Sequence, residues 1–217
     1  MLWSRLYNVL LFAAALVAVP FYGSKMLLTG KYRKSIGPKF GRIPGDIVSR
    51  LHEAGTPRIW LHAVSVGEVT AAAPIVAALR SRFPGAGLIL STSTETGQEM
   101  ARNLVNDATA HIYYPIDIPC IVRKVLDQVR PDVFVPVETE LWPNFIRICR
   151  ERGVRVVMAN GRISPRSFRG YRATRFFWGK ILAMLDAAGV ISPTDAERLS
   201  AIGMPVSKIH VLGNAKY

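Results

Sequence analysis

Three short stretches of this sequence combine residue types that do chemistry, and the sharpest is Ser65-Val66-Gly67-Glu68. A glutamate three residues after a serine, at the start of an apolar helical run, makes a capping box in which the two residues serve only the helix. The same glutamate, set on the rim of a crevice, is a general base for removing a hydroxyl proton. Spacing alone leaves both readings open. Glu138-Thr139-Glu140-Leu141-Trp142-Pro143-Asn144 places two carboxylates beside an aromatic ring, a combination suited to holding a sugar. A capping role would need only one of those carboxylates. Thr92-Ser93-Thr94-Glu95-Thr96-Gly97 offers hydroxyls and a glycine at a helix start, which suits an anion or a sugar, or simply caps the helix. Asn160-Gly161-Arg162-Ile163-Ser164 opens a basic stretch in which Arg162, Arg166, Arg169 and Arg172 alternate with Phe168 and Tyr171. Guanidinium groups there suit phosphate, and a solvated basic loop is the plainer alternative. There is no glycine-rich dinucleotide fingerprint and no phosphate-loop lysine.

The elements that must carry these residues alternate. Strands are expected at Ile59–Ser65, Leu88–Ser93, Ala110–Tyr114, Asp132–Val137, Val154–Ala159, Ala187–Ile191 and Ile209–Leu212. Between them helices are expected at Val69–Arg82, Thr96–Val105, Ile118–Val129, Leu141–Arg152, Tyr171–Leu185 and Thr194–Ile202, with a basic loop before Tyr171. Short, nearly continuous apolar strands, each followed by a helix, indicate an α/β fold with a Rossmann-like parallel sheet and helices on both faces. Ligands of such sheets bind beyond the carboxyl ends of the strands, where each of the stretches above falls.

The totals fit a membrane-facing protein. The chain has 217 residues, half of them hydrophobic, and a net charge of +13, which calls for an anionic partner. Leu6–Gly23 is uncharged and almost wholly apolar, long enough to cross a bilayer core, and is followed by Lys25, Lys31, Arg33, Lys34, Lys39 and Arg42. An N-terminal membrane anchor over 1–29 is expected, with the body on the cytoplasmic side of the inner membrane. A basic linker is expected over 30–57 and the Rossmann-like domain over 58–217. Cys120 and Cys149 have no metal-ligand spacing and are expected to be buried thiols. A nucleic-acid partner is not expected, because no recognition motif accompanies the charge.

Taken together, the stretches resemble the N-terminal half of bacterial 3-deoxy-D-manno-octulosonic acid (Kdo) transferases. The resemblance rests on Trp60-x-His62-Ala63-x-Ser65-x-Gly67-Glu68, Thr92-x-Thr94-x-Thr96-Gly97, Glu138-x-Glu140-Leu141-Trp142-Pro143-Asn144, Asn160-Gly161-Arg162-x-Ser164 and Gly213-Asn214-x-Lys216-Tyr217, in the family's order. It implies the GT-B architecture of two facing domains, this one taking the lipid A precursor and a C-terminal one taking the donor, CMP-Kdo. It implies an inverting glycosyltransferase of lipopolysaccharide synthesis with no metal and no other cofactor. Glu68 falls on the catalytic base. Ser65, Gly67, Thr94, Thr96, Gly97, Glu138, Glu140, Trp142, Asn144, Asn160 and Arg162 fall on motifs expected to line the acceptor site, with Arg162 meeting a phosphate. The family's chains continue into a donor domain, so the chain alone is expected to be inactive or to act as a lipid-binding half-molecule. Val190-Ile191-Ser192-Pro193 stands where the family's pattern has a glutamine-containing turn.

Overall fold

A computed structural model describes residues 2–29 and 33–216, with side chains described over 3–16 and 35–216. Three helices come first: α1 (Leu2–Thr29), α2 (Arg33–Lys39) and α3 (Gly45–Glu53). Strands and helices then alternate as β1 (Gly55–His62), α4 (Val66–Arg82), β2 (Ala86–Thr92), α5 (Glu95–Leu104), β3 (Ala110–Tyr113), α6 (Pro119–Val129), β4 (Val133–Pro136) and α7 (Pro143–Glu151). The second half continues with β5 (Arg155–Gly161), α8 (Pro165–Ala173), α9 (Arg175–Leu182), β6 (Ala187–Val190), α10 (Pro193–Ile202) and β7 (Ile209–Val211).

The seven strands form one parallel sheet in the order β3-β2-β1-β4-β5-β6-β7. Successive residues of each strand face opposite sides of the sheet, and both sides are covered. Trp60, Ile89 and Phe134 lie in one apolar cluster with Val125 and Leu126 of α6 and Phe145 and Ile148 of α7. Their neighbours Leu61, Leu88, Leu90 and Val135 lie in a second cluster with Val69, Ala72 and Val76 of α4 and Ala101 of α5. This is the expected Rossmann-like arrangement. The strand order reverses direction between β1 and β4. The two chain crossovers leave that point toward opposite sides, which opens a crevice at the carboxyl ends of these two strands.

Several details differ from the expectations. The stretch read as a linker, 30–57, contains α2, α3 and the first residues of β1, and Leu51 of α3 is fully buried against α6 and β3. Its Gly, Pro and charge obscured the short amphipathic helix α3. The basic loop before Tyr171 is mostly helix: Ser164 accepts from the Ser167 amide as an N-cap, and Pro165 takes the first helical position. That helix stops at Thr174, so the single long helix expected from Tyr171 is two, α8 and α9. Cys149 is buried, but Cys120, in the first turn of α6, is exposed.

The N-terminal helix begins against the body. Trp3 and Tyr7 pack on Phe177 with ring centroids 5.7 and 6.0 Å apart. The Tyr7 hydroxyl donates to Asp117 Oδ2 at 2.9 Å, and the Asn144 amide donates to Asn8 Oδ1 at 2.7 Å. Among the described residues no helix is long and apolar enough to cross a membrane. From residue 17 onward the stretch Leu6–Gly23 lies outside the described side chains.

Candidate functional site

The crevice between β1 and β4 holds the acidic residues. After β1 the chain turns through Ala63 and Val64 into Ser65, the N-cap of α4. Glu68, one turn in, folds back over the turn. Its Oε2 accepts from the Val64 amide at 2.7 Å and its Oε1 from the Ser65 hydroxyl at 2.9 Å. The capping role is therefore real, and the amide it satisfies lies one residue before the N-cap. Those two bonds and the positive end of α4 favour the ionised carboxylate. Burial opposes them and prevails, so the Glu68 carboxyl is held above the ordinary range, with the Glu138 charge adding to the rise and the Lys216 charge reducing it. A half-buried, oriented carboxylate with raised proton affinity is suited to take a proton from a hydroxyl.

Glu138 and Glu140 follow β4. Glu138 has a φ of 60°, a left-handed backbone unusual for a residue with a Cβ, and its amide donates to Ala159 O at 2.9 Å. Asn160, at the end of β5, shares the feature with a φ of 54°. Two such residues on adjacent strand ends mark backbone shaped for something other than stability. The Glu138 carboxylate pairs with Lys216 Nζ at 3.3 Å, and Asn160 Oδ1 accepts from the Ala215 amide at 2.9 Å. The segment after β7 is thereby drawn across the carboxyl end of the sheet. A Cβ on Gly67 would come within 3.9 Å of Lys216 Nζ, which puts the ammonium beside the first turn of α4 as well.

Glu140 accepts from Trp142 Nε1 at 3.1 Å. Burial, followed by the nearby Glu68 charge, pushes its carboxyl up to about 7. Among the described residues no group of histidine, cysteine, aspartate and glutamate side chains is arranged to hold a metal ion.

The family model for 3-deoxy-D-manno-octulosonic-acid transferase (kdotransferase) matches residues 34–217. The chain belongs to the Kdo transferase family. It is 28% identical over 216 residues to the 3-deoxy-D-manno-octulosonic acid transferase of Haemophilus influenzae, covering 100% of this chain and 49% of that protein. It is 30% identical over 216 residues to the enzyme of the same name from Chlamydia trachomatis serovar D, covering 99% and 49%. A bifunctional glycosyltransferase/methyltransferase of Fusobacterium nucleatum is 33% identical over 161 residues, 73% of this chain and 25% of that protein. The chain thus spans about half the length of the curated Kdo transferases it matches most fully. Solved structures share the fold. The UDP-GlcNAc 2-epimerase of Neisseria meningitidis superposes with a TM-score of 0.54 at 12% identity, over 73% of this chain and 47% of that one. A UDP-N-acetylglucosamine 2-epimerase of Listeria monocytogenes gives 0.55 at 12%, over 74% and 45%.

Within this Kdo transferase domain the motif residues fall into two groups. Ser65, Gly67, Glu68, Glu138, Glu140 and Asn160 gather at the carboxyl ends of β1, β4 and β5. Arg162 joins them through its backbone, whose carbonyl accepts from the Thr139 hydroxyl. The second group supports the first. Thr94 is the N-cap of α5 and accepts from the Gly97 amide at 3.0 Å, with exposed Thr96 beside it. Gly97 is needed for close approach, since a Cβ there would meet Thr94 Oγ1 at 2.8 Å and Val64 O at 3.3 Å. Trp142 is half-buried against Tyr114, at 5.6 Å between ring centroids. Asn144 is fully buried and its amide group bonds to Asn8 and to Asp117 O, so it serves the fold beneath the crevice. His62 is buried, stacked on Tyr114 at 3.7 Å and bonded to Ser91, and burial holds it neutral with a pKa near 3.

Sequence reasoning missed three members. Lys216 was quoted in a motif, but only the fold shows its ammonium reaching Glu138. Asp117 lies between the expected strand Ala110–Tyr114 and helix Ile118–Val129 and belongs to none of the motifs. It accepts from the Asn144 and Phe145 amides at 3.0 and 2.8 Å, capping α7 from a distance, and also from Tyr7. Arg198 lies on α10 and donates to Ile163 O at 2.6 Å. Side chains so distant in sequence leave no local signal.

Proposed function

We propose that this chain is the acceptor-binding domain of an inverting Kdo transferase, with Glu68 as general base. The observation that carries the reading is the Glu68 carboxylate, fixed by Val64 and Ser65 at the sheet's switch point with Glu138 and Lys216 alongside. In the proposed step a hydroxyl oxygen of the acceptor sugar attacks the anomeric carbon of Kdo. The new C–O bond forms as the bond from that carbon to the phosphate oxygen of CMP breaks. The hydroxyl proton passes to Glu68, and CMP leaves with the bonding electron pair. CMP-Kdo is held by a second domain facing this one across the crevice, as in the GT-B arrangement. No metal and no cofactor enters the step.

The acceptor is the lipid A precursor, met at the cytoplasmic face of the inner membrane. The exposed side of α1 supports this: Leu6, Val9, Leu10, Phe12 and Leu16 are all at least half exposed, while Trp3, Tyr7 and Asn8 face the body. Phe176, 68% exposed on α9, adds an aromatic ring among exposed Arg172, Arg175 and Lys180. Apolar side chains within a basic rim match an anionic lipid surface. The described part of α1 would meet that surface through these side chains without spanning it, since among the described residues no helix is long and apolar enough to cross a membrane.

The reading is tested by capture of the lipid A precursor in detergent micelles by the whole chain, followed by transfer when a related donor-binding domain and CMP-Kdo are supplied. Capture of the precursor, and transfer only with the donor domain present, are expected. Failure to capture the precursor above its level on an unrelated basic protein would refute the acceptor role.

A further inference from the structure

A cavity of about 350 Å³ lies between α5 and the end of β3, lined by Glu95, Gln98, Glu99, Arg102, Asn103 and Tyr113. We propose that it binds an uncharged sugar ring, a hexopyranoside, at a site separate from the Glu68 crevice. The volume is at the lower end of the range for small-molecule sites, as suits a single ring.

The lining is one face of one helix and a wall of the sheet. Five of the six residues belong to α5. At 3.6 residues per turn, Glu95, Glu99 and Arg102 lie roughly 140–160° around that helix from Gly97. Gly97 marks the side on which α5 approaches the turn under Glu68, since a Cβ there would meet Val64 O at 3.3 Å. The cavity is therefore on the side of α5 away from that turn. β2 and β1 also stand between β3 and the crevice, about 12 Å across the sheet. Tyr113, opposite Thr92 in the sheet register, forms the other wall.

The polar groups here are uncommitted. Gln98 is 3% exposed, and the buried Thr92 hydroxyl donates to its Oε1 at 2.6 Å. That bond fixes the amide and leaves Nε2 buried with no partner. Buried amide groups are nearly always paired, so an unpaired one at a cavity wall marks a place for a ligand oxygen. Glu95, Glu99 and Arg102 form no ion pair among the described residues, although Glu99 and Arg102 are neighbours on the helix. Burial lowers the pKa of Lys39 on α2, and the charge of Glu95 partly offsets this, so a second cation stands near the carboxylates.

These charges exclude simple ions. An anion would meet Glu95 and Glu99, and a polyamine would meet Arg102 and Lys39. Two carboxylates supply too few oxygens for calcium. The lining has one ring and no aliphatic side chain, so it does not suit a lipid tail. A sugar hydroxyl both donates and accepts. Adjacent hydroxyls of a pyranose can donate to the Glu99 carboxylate and accept from the Arg102 guanidinium, while another oxygen accepts from Gln98 Nε2. Tyr113 offers an apolar ring face and a polar tip.

The test is a titration of the whole chain, in a detergent without a sugar headgroup, with methyl glucoside, methyl galactoside and methyl mannoside. NMR follows the Gln98 side-chain amide. Glycerol and glycerophosphoethanolamine are the controls, and Glu99→Gln and Arg102→Gln, both exposed changes, are the variants. At least one glycoside is expected to shift the Gln98 resonance saturably, and glycerol is not. Each variant is expected to weaken that glycoside about tenfold, as loss of a charge-assisted hydrogen bond does. Thermal midpoints and capture of the lipid A precursor should stay at parent values. No saturable shift with any of the glycosides would overturn the proposal, and so would variants that bind within about twofold of the parent. Tighter binding of glycerophosphoethanolamine would overturn the assignment to an uncharged sugar. Precursor capture lost together with glycoside binding would overturn the separateness of the site and make it part of the acceptor crevice. Arginine-dependent glycoside binding by a parent chain that fails to capture the precursor would support this site and refute the acceptor reading.

Discussion

At the scale of single residues, Glu68 joins an observed capping role to the proposed role of base. Its carboxylate serves the turn before α4, and that service fixes it where burial raises its proton affinity. Lys216 moderates the rise. Removing its charge, as in Lys216→Met, should lift the Glu68 carboxyl further and move the acid limb of a transfer–pH profile to higher pH. Lys216→Arg should leave the limb near its place. Profiles of both variants check this. Glu140 carries a stability signature. Its folded carboxyl is raised from 4.5 to about 7, so the folded state keeps a proton that the unfolded chain has lost. Stability on this account is fullest below about pH 4.5, falls as the pH rises through 7, and stays low above it. Glu140→Gln should flatten that part of a thermal-midpoint–pH curve and raise the midpoint at pH 8. Glu68, Glu138 and Glu140 were legible because they sit together in short motifs at strand ends. Lys216, Asp117 and Arg198 were not, because each acts across a long sequence gap: Lys216 through one ion pair, Arg198 through one hydrogen bond and Asp117 through bonds to Tyr7, Asn144 and Phe145.

At the scale of elements, the strand–helix alternation was readable from apolar runs and their breakers, and every expected strand exists. The errors arose where composition masked local capping. Ser164-Pro165 starts α8 inside a stretch that its arginines made look like loop. The Gly- and Pro-bearing segment before β1 folds because Leu51 finds the core. A contact no local pattern reveals joins α1 to α7: Asp117 holds the first amides of α7 and the hydroxyl of Tyr7, and Asn144 holds Asn8. Tyr7→Phe deletes one of these bonds and keeps the ring on Phe177. It should cost about 1 kcal/mol, since the Asp117 carboxylate retains its two amides. Asp117→Ala strips the cap of α7 as well and should cost about 2–4 kcal/mol. Denaturant unfolding of the two variants measures the difference, and hydrogen exchange in the first turns of α1 and α7 should rise together in Asp117→Ala.

At the scale of the whole molecule, a charge of +13, an apolar strip on α1 and a crevice at the sheet's switch point are the features that support the proposed work on an anionic group at a lipid surface. Composition announced the charge, but which helix faces would be left uncovered depended on how α1 and α9 pack. Binding to vesicles containing anionic lipid should weaken steeply as salt rises from about 0.05 to 0.5 M, because exposed charges are screened. Phe176→Ser should weaken it at all salt concentrations, since an apolar contact is not screened. Co-sedimentation with the two variables crossed separates the contributions. The central claim is that Glu68 takes the acceptor's proton, and the most direct measurement is the transfer rate and precursor affinity of Glu68→Gln with the donor domain supplied. The account predicts a rate lowered about 10²–10⁴-fold with precursor affinity within about threefold of the parent. A rate within about tenfold of the parent would contradict it, leaving Glu68 as a helix cap and the base to be sought elsewhere in the crevice.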